Sequence, residues 1–193
     1  MNESLLSNKT DSSIASRETE INSSYESQTS KETDLKIQII NSISLSLKDI
    51  IKENKANSKY VKKDIFYLPF APQISLNDYI KRIMKYSNMD ISSLICSIIY
   101  IDYFCDKNKY ILSINNIHRI LLSACLLSLK FNEDNAVNYK YYSDITGVSM
   151  EDLKNLEFYM YFKMNFSLLI KYELYKSYYD YFSNYSIQKK EKI

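Results

Sequence analysis

Glycine and proline are almost missing from this sequence, with one Gly and two Pro among 193 residues. Tight turns draw on those two residue types, so an all-β domain rich in short connections is disfavoured. Gly147 is the only glycine, so neither GxGxxG nor GxxxxGK(S/T) can occur, and nucleotide-binding enzymes of those types are excluded. Histidine is equally scarce. His118 stands alone, and because a catalytic or metal site needs several converging groups, a structural contact is expected of it. Cys96, Cys105 and Cys125 are odd in number and form no CxxC; each has apolar neighbours, which predicts reduced core thiols. That cysteine usage points to an intracellular compartment, cytoplasm or nucleus. No apolar run reaches about 18 residues and the N-terminus lacks a signal-peptide core, so neither a membrane span nor secretion is expected. The formal charge is only +2, which implies no strongly charged partner. The basic end formed by Lys189, Lys190 and Lys192 is too short for a nucleic-acid patch.

What is abundant is Asn, Lys, Ile and Tyr, the mark of an AT-rich genome. The 19 tyrosines are therefore read as compositional bias rather than as a stacking surface. A hydrophobic fraction of 46% is enough for a core, and the length suits one domain plus a tail.

Half of residues 1–34 are Ser, Thr, Asn or Gln, acids outnumber bases, and no apolar period exists. This segment is expected to be a disordered, polar, acidic tail. From residue 35 a helical period sets in: Leu35, Ile39, Ile43, Leu47 and Ile50 predict an N-terminal helix over 35–54. Residues 55–73 read as a connector ending in two prolines. Ser75 with Asp78 forms a capping-box-like start, after which Leu76, Tyr79, Ile80, Ile83 and Met84 make one stripe. Asp90 is placed to cap a second helix, whose Ile91, Leu94, Ile95, Ile98, Ile99 and Ile101 cover more than half its girth. Ser113 is expected to cap a third helix over about 114–131, carrying Ile114, Ile117, Ile120, Leu121, Ala124, Leu127 and Phe131. Its mix of large and small residues suits a central helix. A short helix over 138–146 should stop at Gly147. Ser149 and Asp152 then start a helix to about 164 with the seam Leu153, Leu156, Met160 and Met164, and a last, Tyr-rich helix is expected over 170–183 with a tail at 184–193. No internal repeat is present. The pattern is an all-α domain of about five helices after a helical extension.

Two charges stand out. Lys130 lies four residues after Leu126 and beside Phe131, and Glu157 lies four after Leu153. Both fall at or beside core-facing stripes, where an unpaired charge would cost several kcal/mol, so each needs a partner. Two readings are open: an internal ion pair that staples two helices, or a pair on a shared edge that offers hydrogen bonds to another protein. Periodicity does not separate them.

The residues also resemble a known family. Residues 72–83, PQISLNDYIKRI, followed by Tyr86, are similar to the opening of the cyclin box in P/U-type cyclins, a group that includes fungal phosphate-signalling cyclins. Tyr100, Ile101 and Asp102 resemble its YIDR, and Asn116, Ile117, His118 and Arg119 its NVHR. Residues Lys130 to Asp134 resemble KFxDD, and Tyr141, Tyr142, Gly147, Val148 and Ser149 resemble YY…GGIS. Leu156, Glu157, Asn165 and Phe166 resemble LE…LxF. Each motif alone is weak, but their order is kept over residues 68–183. The chain departs from the pattern at Tyr103, where the family has Arg, and at Asn132, Tyr139 and Thr146.

The resemblance implies a single five-helix cyclin box over 74–183, with an N-terminal helical extension, a further C-terminal helix and no room for a second box before Ile193. It also implies a regulatory subunit that binds and activates a cyclin-dependent serine/threonine kinase by positioning its αC helix. Lys130 and Glu157 would hold the kinase, with Phe131 and Phe158 in lesser contact. No catalytic residue, metal, cofactor or nucleotide is implied, and neither nucleic acid nor membrane is a partner. A non-activating kinase scaffold is the alternative. A transcription-factor-type cyclin fold is disfavoured by the small charge and single box, and an enzyme by the lack of a converging site. Asp102 is expected to pair with a cation such as Arg82 or Arg119. Glu133 and Asp134 are either solvated loop acids or kinase-facing ones.

Overall fold

The computed structural model describes residues 30–134 and 137–190. Two units make up the chain, 1–38 and 39–193. The expected disordered tail, 1–34, lies outside the described residues as far as 29; residues 30–38 are described and helical, so the helix begins before residue 35.

The second unit opens with α1, residues 39–53, which buries Ile39, Ile40, Ile43 and Leu47. A 3-10 helix, Asn54–Tyr60, follows. The rest of the connector is pinned rather than loose. Phe66 is fully buried among the rings of Phe104, Tyr110 and Tyr159, at centroid distances of 5.5, 6.1 and 5.5 Å. The Asp64 carboxylate accepts from Tyr110 Oη at 2.6 Å, from the Phe66 amide at 3.0 Å and from Tyr159 Oη at 3.3 Å.

Helix α2, Leu76–Ser87, starts as its sequence predicts: Ser75 Oγ accepts from the Asp78 amide at 3.1 Å, and the expected stripe is buried. Helix α3 spans Ile91–Asn108. Asp90 occupies its N-cap but makes no side-chain cap; its own amide donates to Glu133 Oε1 at 3.1 Å. Helix α4, Ile117–Asn132, starts three residues later than the Ser113 signal implied. The reason is Asn116, whose Oδ1 accepts from the Ser113 amide at 2.8 Å while its Nδ2 donates to Ile111 O at 2.9 Å. That side chain stabilises a turn over 113–116, so Ile114 stays out of the helix and exposed.

Helix α5, Tyr139–Thr146, is capped by Asn138 and ends on Gly147 at φ +70°, the left-handed position that glycine takes without strain. Helix α6, Met150–Lys163, begins with Ser149 Oγ accepting from the Asp152 amide at 3.0 Å, and buries Leu153, Leu156 and Met160. Helix α7, Tyr172–Lys190, runs seven residues past the expected end at 183, so the helix occupies most of the stretch assigned to a tail. It is held by side chains far away in sequence: Tyr178 Oη donates to Asp102 and Tyr185 Oη to Asp49. Asp102 therefore bonds a tyrosine, and neither Arg82 nor Arg119.

Among the described residues every regular element is helical, and α2 to α6 form the five-helix box, with α1 before it and α7 after it. Helix α4 is the centre. It packs on α3 and α6, and all its residues from Ile117 to Leu129 are buried except Arg119. Its small residues permit the close approach: Ser128 Oγ donates to Ser93 O on α3 at 2.6 Å, and Cys125 Sγ lies 3.7 Å from Ser97 Oγ. Cys96 and Cys125 are buried thiols as expected, whereas Cys105 is only half-buried.

Candidate protein-binding surface

Burial of α4 stops at Leu129, and Lys130, Phe131 and Asn132 are exposed. Phe131 was expected to continue the core stripe, yet it is 54% exposed. The cause is where the neighbouring helix begins. Glu133 reaches the Asp90 amide, so the last turn of α4 lies level with the start of α3, past the edge of the core.

Lys130 and Glu157 meet at this end. Lys130 Nζ donates to Glu157 Oε1 at 2.7 Å and also to Tyr139 Oη. Tyr139 Oη in turn donates to Glu157 Oε2 at 2.7 Å. Three helices supply the three groups: the last turn of α4, the first residue of α5 and the middle of α6. A cation near a helix C-terminus is also favoured by the helix dipole. Partial burial works against the charged form of Lys130, but the bonds to Glu157 and Tyr139 and the Glu157 charge outweigh it, so its pKa is raised and the ammonium is kept. The phenol of Tyr139 is likewise pushed up, by burial first and by Glu157, against the opposing bond from Lys130.

The two charges are unequally open. The Lys130 side chain is 37% exposed and that of Glu157 12%. Beside Glu157 the next residues on the same face are apolar and uncovered. Phe158 is 63% exposed, Phe162 52% and Phe166 51%. They form a row, with Phe158 and Phe162 stacked at 6.4 Å between centroids and Phe162 and Phe166 edge-on at 5.9 Å. Phe166 and Asn165 both have positive φ, at 56° and 54°, an uncommon backbone for non-glycine residues that aims the Phe166 ring against Tyr161 and Phe162. The end of α4 and α6 thus carries a bonded charge pair beside a row of uncovered phenylalanines.

So the expected site residues Lys130 and Glu157 are bonded, and Phe131 and Phe158 flank them along their helices. Tyr139 entered the sequence reading only as a departure from the family pattern and Phe166 only as part of a motif, and Phe162 was not singled out. A usable signal existed for Phe162, which lies four residues after Phe158 as on one helix face, whereas Phe166 lies beyond the end of α6 and joins the row through the turn at 165–166. None existed for Tyr139, because its partners are 9 and 18 residues away.

His118, Arg119 and Glu133 make contacts within the fold. His118 is 4% exposed, its Nε2 bonds Ile74 O at 3.2 Å and its ring meets Tyr79 at 5.1 Å. Burial pushes its pKa below the ordinary 6.5, only partly opposed by the Ile74 carbonyl. Arg119 donates to Ile65 O at 2.7 Å and lies 3.9 Å from Asp152 Oδ2. Glu133 bonds the Asp90 amide at the start of α3. Among the described residues no three His, Cys, Asp or Glu side chains converge as metal ligands, and no helix is long and apolar enough to cross a membrane. A cleft of about 440 Å³ between α3, the segment after α6 and α7 is lined mainly by apolar side chains and tyrosines, with Asp102 and Asp106 at its edge.

Among the described residues the module is all-helical, with a bonded charge pair beside exposed aromatics at one end. The family model described as Cyclin matches residues 2–168. The chain belongs to the cyclin family, and its relatives are of the P/U type. It is 32% identical to Cyclin-U2-1 of Arabidopsis thaliana over 120 residues, 61% of this chain and 53% of that protein. Cyclin-U4-3 of Arabidopsis thaliana is 31% identical over 142 residues, 72% of this chain and 64% of that protein. Cyclin-P3-1 of Oryza sativa subsp. japonica is 27% identical over 130 residues, 67% of this chain and 54% of that protein. The chain thus spans between half and two thirds of the length of these curated relatives.

Proposed function

We propose that this chain is the regulatory subunit of a cyclin-dependent protein kinase, and that it binds the kinase with the end formed by α4 and α6. One observation carries the proposal: a cation and an acid from two different helices are bonded at 2.7 Å, at the edge of the core, beside uncovered phenylalanines. Lys130 has donors for backbone carbonyls of the kinase, and Glu157 has acceptor oxygens for its backbone amides. Phe131, Phe158, Phe162 and Phe166 supply apolar area, and a standard interface needs about 800 Å² on each side.

The mechanism follows from what a kinase requires. Phosphoryl transfer needs the β3 Lys–αC Glu pair and the metal-binding Asp in place. A subunit that binds the active placement of αC more tightly than the inactive one shifts the population toward it. All the chemistry then belongs to the kinase. The test takes each cyclin-dependent kinase encoded by the same genome, purified singly, and measures binding and peptide phosphorylation with and without this chain. Activation of at least one kinase, lost with Lys130→Ala and Glu157→Ala, is the expected result. Binding without activation would leave a scaffold, and no binding to any of them would overturn the proposal.

A further inference from the structure

We propose that Tyr139 is a latch on the kinase-binding pair, a specificity-determining residue whose hydroxyl holds Glu157 closed in the free chain. This rests on the reading that Lys130 and Glu157 contact the kinase, and adds which of the two is available before binding.

The argument starts from what each group has to offer. An ammonium has three N–H donors, and Lys130 uses two of them, toward Glu157 Oε1 and Tyr139 Oη. One donor and an open flank remain for a partner. Glu157 is different. Each of its two oxygens already accepts a bond, one from Lys130 and the other from Tyr139, and its side chain is only 12% exposed. A partner amide reaches this carboxylate only after the phenol has turned away.

Tyr139 is placed to turn. It is the first residue of α5, and the helix start is held one residue earlier by Asn138, whose Oδ1 accepts from the Tyr141 amide at 3.2 Å. The phenol tip makes the hydrogen bonds to Lys130 and Glu157, and the Lys154 ammonium lies 5.5 Å from the ring centroid. Rotation about the side chain releases the tip without unwinding the helix. A latch of this kind is a means of choosing among kinases: a partner that accommodates the displaced phenol binds, and one that does not is refused.

The experiment compares the intact chain with Tyr139→Phe, which keeps the ring and removes only the hydroxyl and its bonds to Lys130 and Glu157. The probe is the kinase from the panel above that the unaltered chain binds most tightly, and affinity and rates are read by surface plasmon resonance. A closed latch lowers apparent affinity by the fraction of chains that are open, so Tyr139→Phe is expected to bind about tenfold more tightly, mostly through a faster on-rate. In a Glu157→Gln background the same substitution is expected to bring no gain, because no carboxylate is left to uncover; a merely structural tyrosine has no reason to behave in this way. Equal or weaker binding by Tyr139→Phe, or the same gain in both backgrounds, overturns the latch and leaves the kinase contact standing. Unaltered binding by Lys130→Ala and Glu157→Ala overturns the contact and the latch together.

Discussion

Replacing Lys130 by Met keeps the length of the side chain and deletes the ammonium, and it separates the two roles open to the pair. In the free chain the substitution removes the 2.7 Å bond to Glu157 and the bond to Tyr139. Lys130 is 37% exposed, so the pair behaves largely as a surface ion pair, worth about 0.2–1 kcal/mol. Glu157 is less open, at 12%, and loses one of its donors, which raises the cost to roughly 1–2 kcal/mol. Tyr139 still donates to its other oxygen and limits the damage. For a domain of this size each kcal/mol lowers the melting temperature by about 2–4 °C. In a complex that buries the pair, losing one partner costs roughly 2–5 kcal/mol of binding. At about 1.4 kcal/mol per factor of ten, that is a loss between about thirtyfold and several thousandfold. The assays are a circular-dichroism melt of the free chain and calorimetric titration against the bound kinase. A pair that grips the kinase gives a small melting shift and a large binding loss. A melting shift of that size with binding unchanged within about twofold refutes the grip and leaves an internal staple.

Two further outcomes follow from buried groups. His118 has a folded pKa below its ordinary 6.5, so above that value both states are neutral and its burial is tolerated. As pH falls through 6.5 the unfolded chain takes up the proton first, and stability drops. Urea midpoints at pH 7.5 and 5.5 should fall further apart for the unaltered chain than for His118→Gln, and an identical drop in the two would rule out His118 as the source. Phe66→Ala removes the ring enclosed by Phe104, Tyr110 and Tyr159, an expected loss of about 3–5 kcal/mol. Limited proteolysis should then cut within 61–72 while the unaltered connector resists; equal resistance would mean that Asp64 alone pins it.

Helices α2 and α6 are capped by Ser75 and Ser149, as a reading of the sequence places them, because a side-chain cap and its amide partner are three residues apart and need nothing else. Helix α4 did not follow that rule. Ser113 has the chemistry of a cap, but Asn116 closes the turn over it, and two competing local bonds cannot be ranked from spacing. Helix α7 outlasts its apolar pattern because Tyr178 and Tyr185 bond acids 76 and 136 residues earlier in the chain.

The same division runs through the candidate site. Its two charges were legible, since Lys130 and Glu157 interrupt apolar stripes and the ordered motifs around them belong to a cyclin box. Their surroundings were not. A stripe says which way a side chain points from its own axis, but whether anything stands there depends on where the neighbouring helix begins. Sequence therefore determined the helices, the central place of α4 and the identity of the family. Tertiary structure decided that Phe131 is uncovered beyond the start of α3, that Phe158, Phe162 and Phe166 form one open row, and that Tyr139 closes over Glu157. Periodicity is local to one helix, whereas exposure and the triangle of Lys130, Tyr139 and Glu157 are properties of three helices brought to one end of the core.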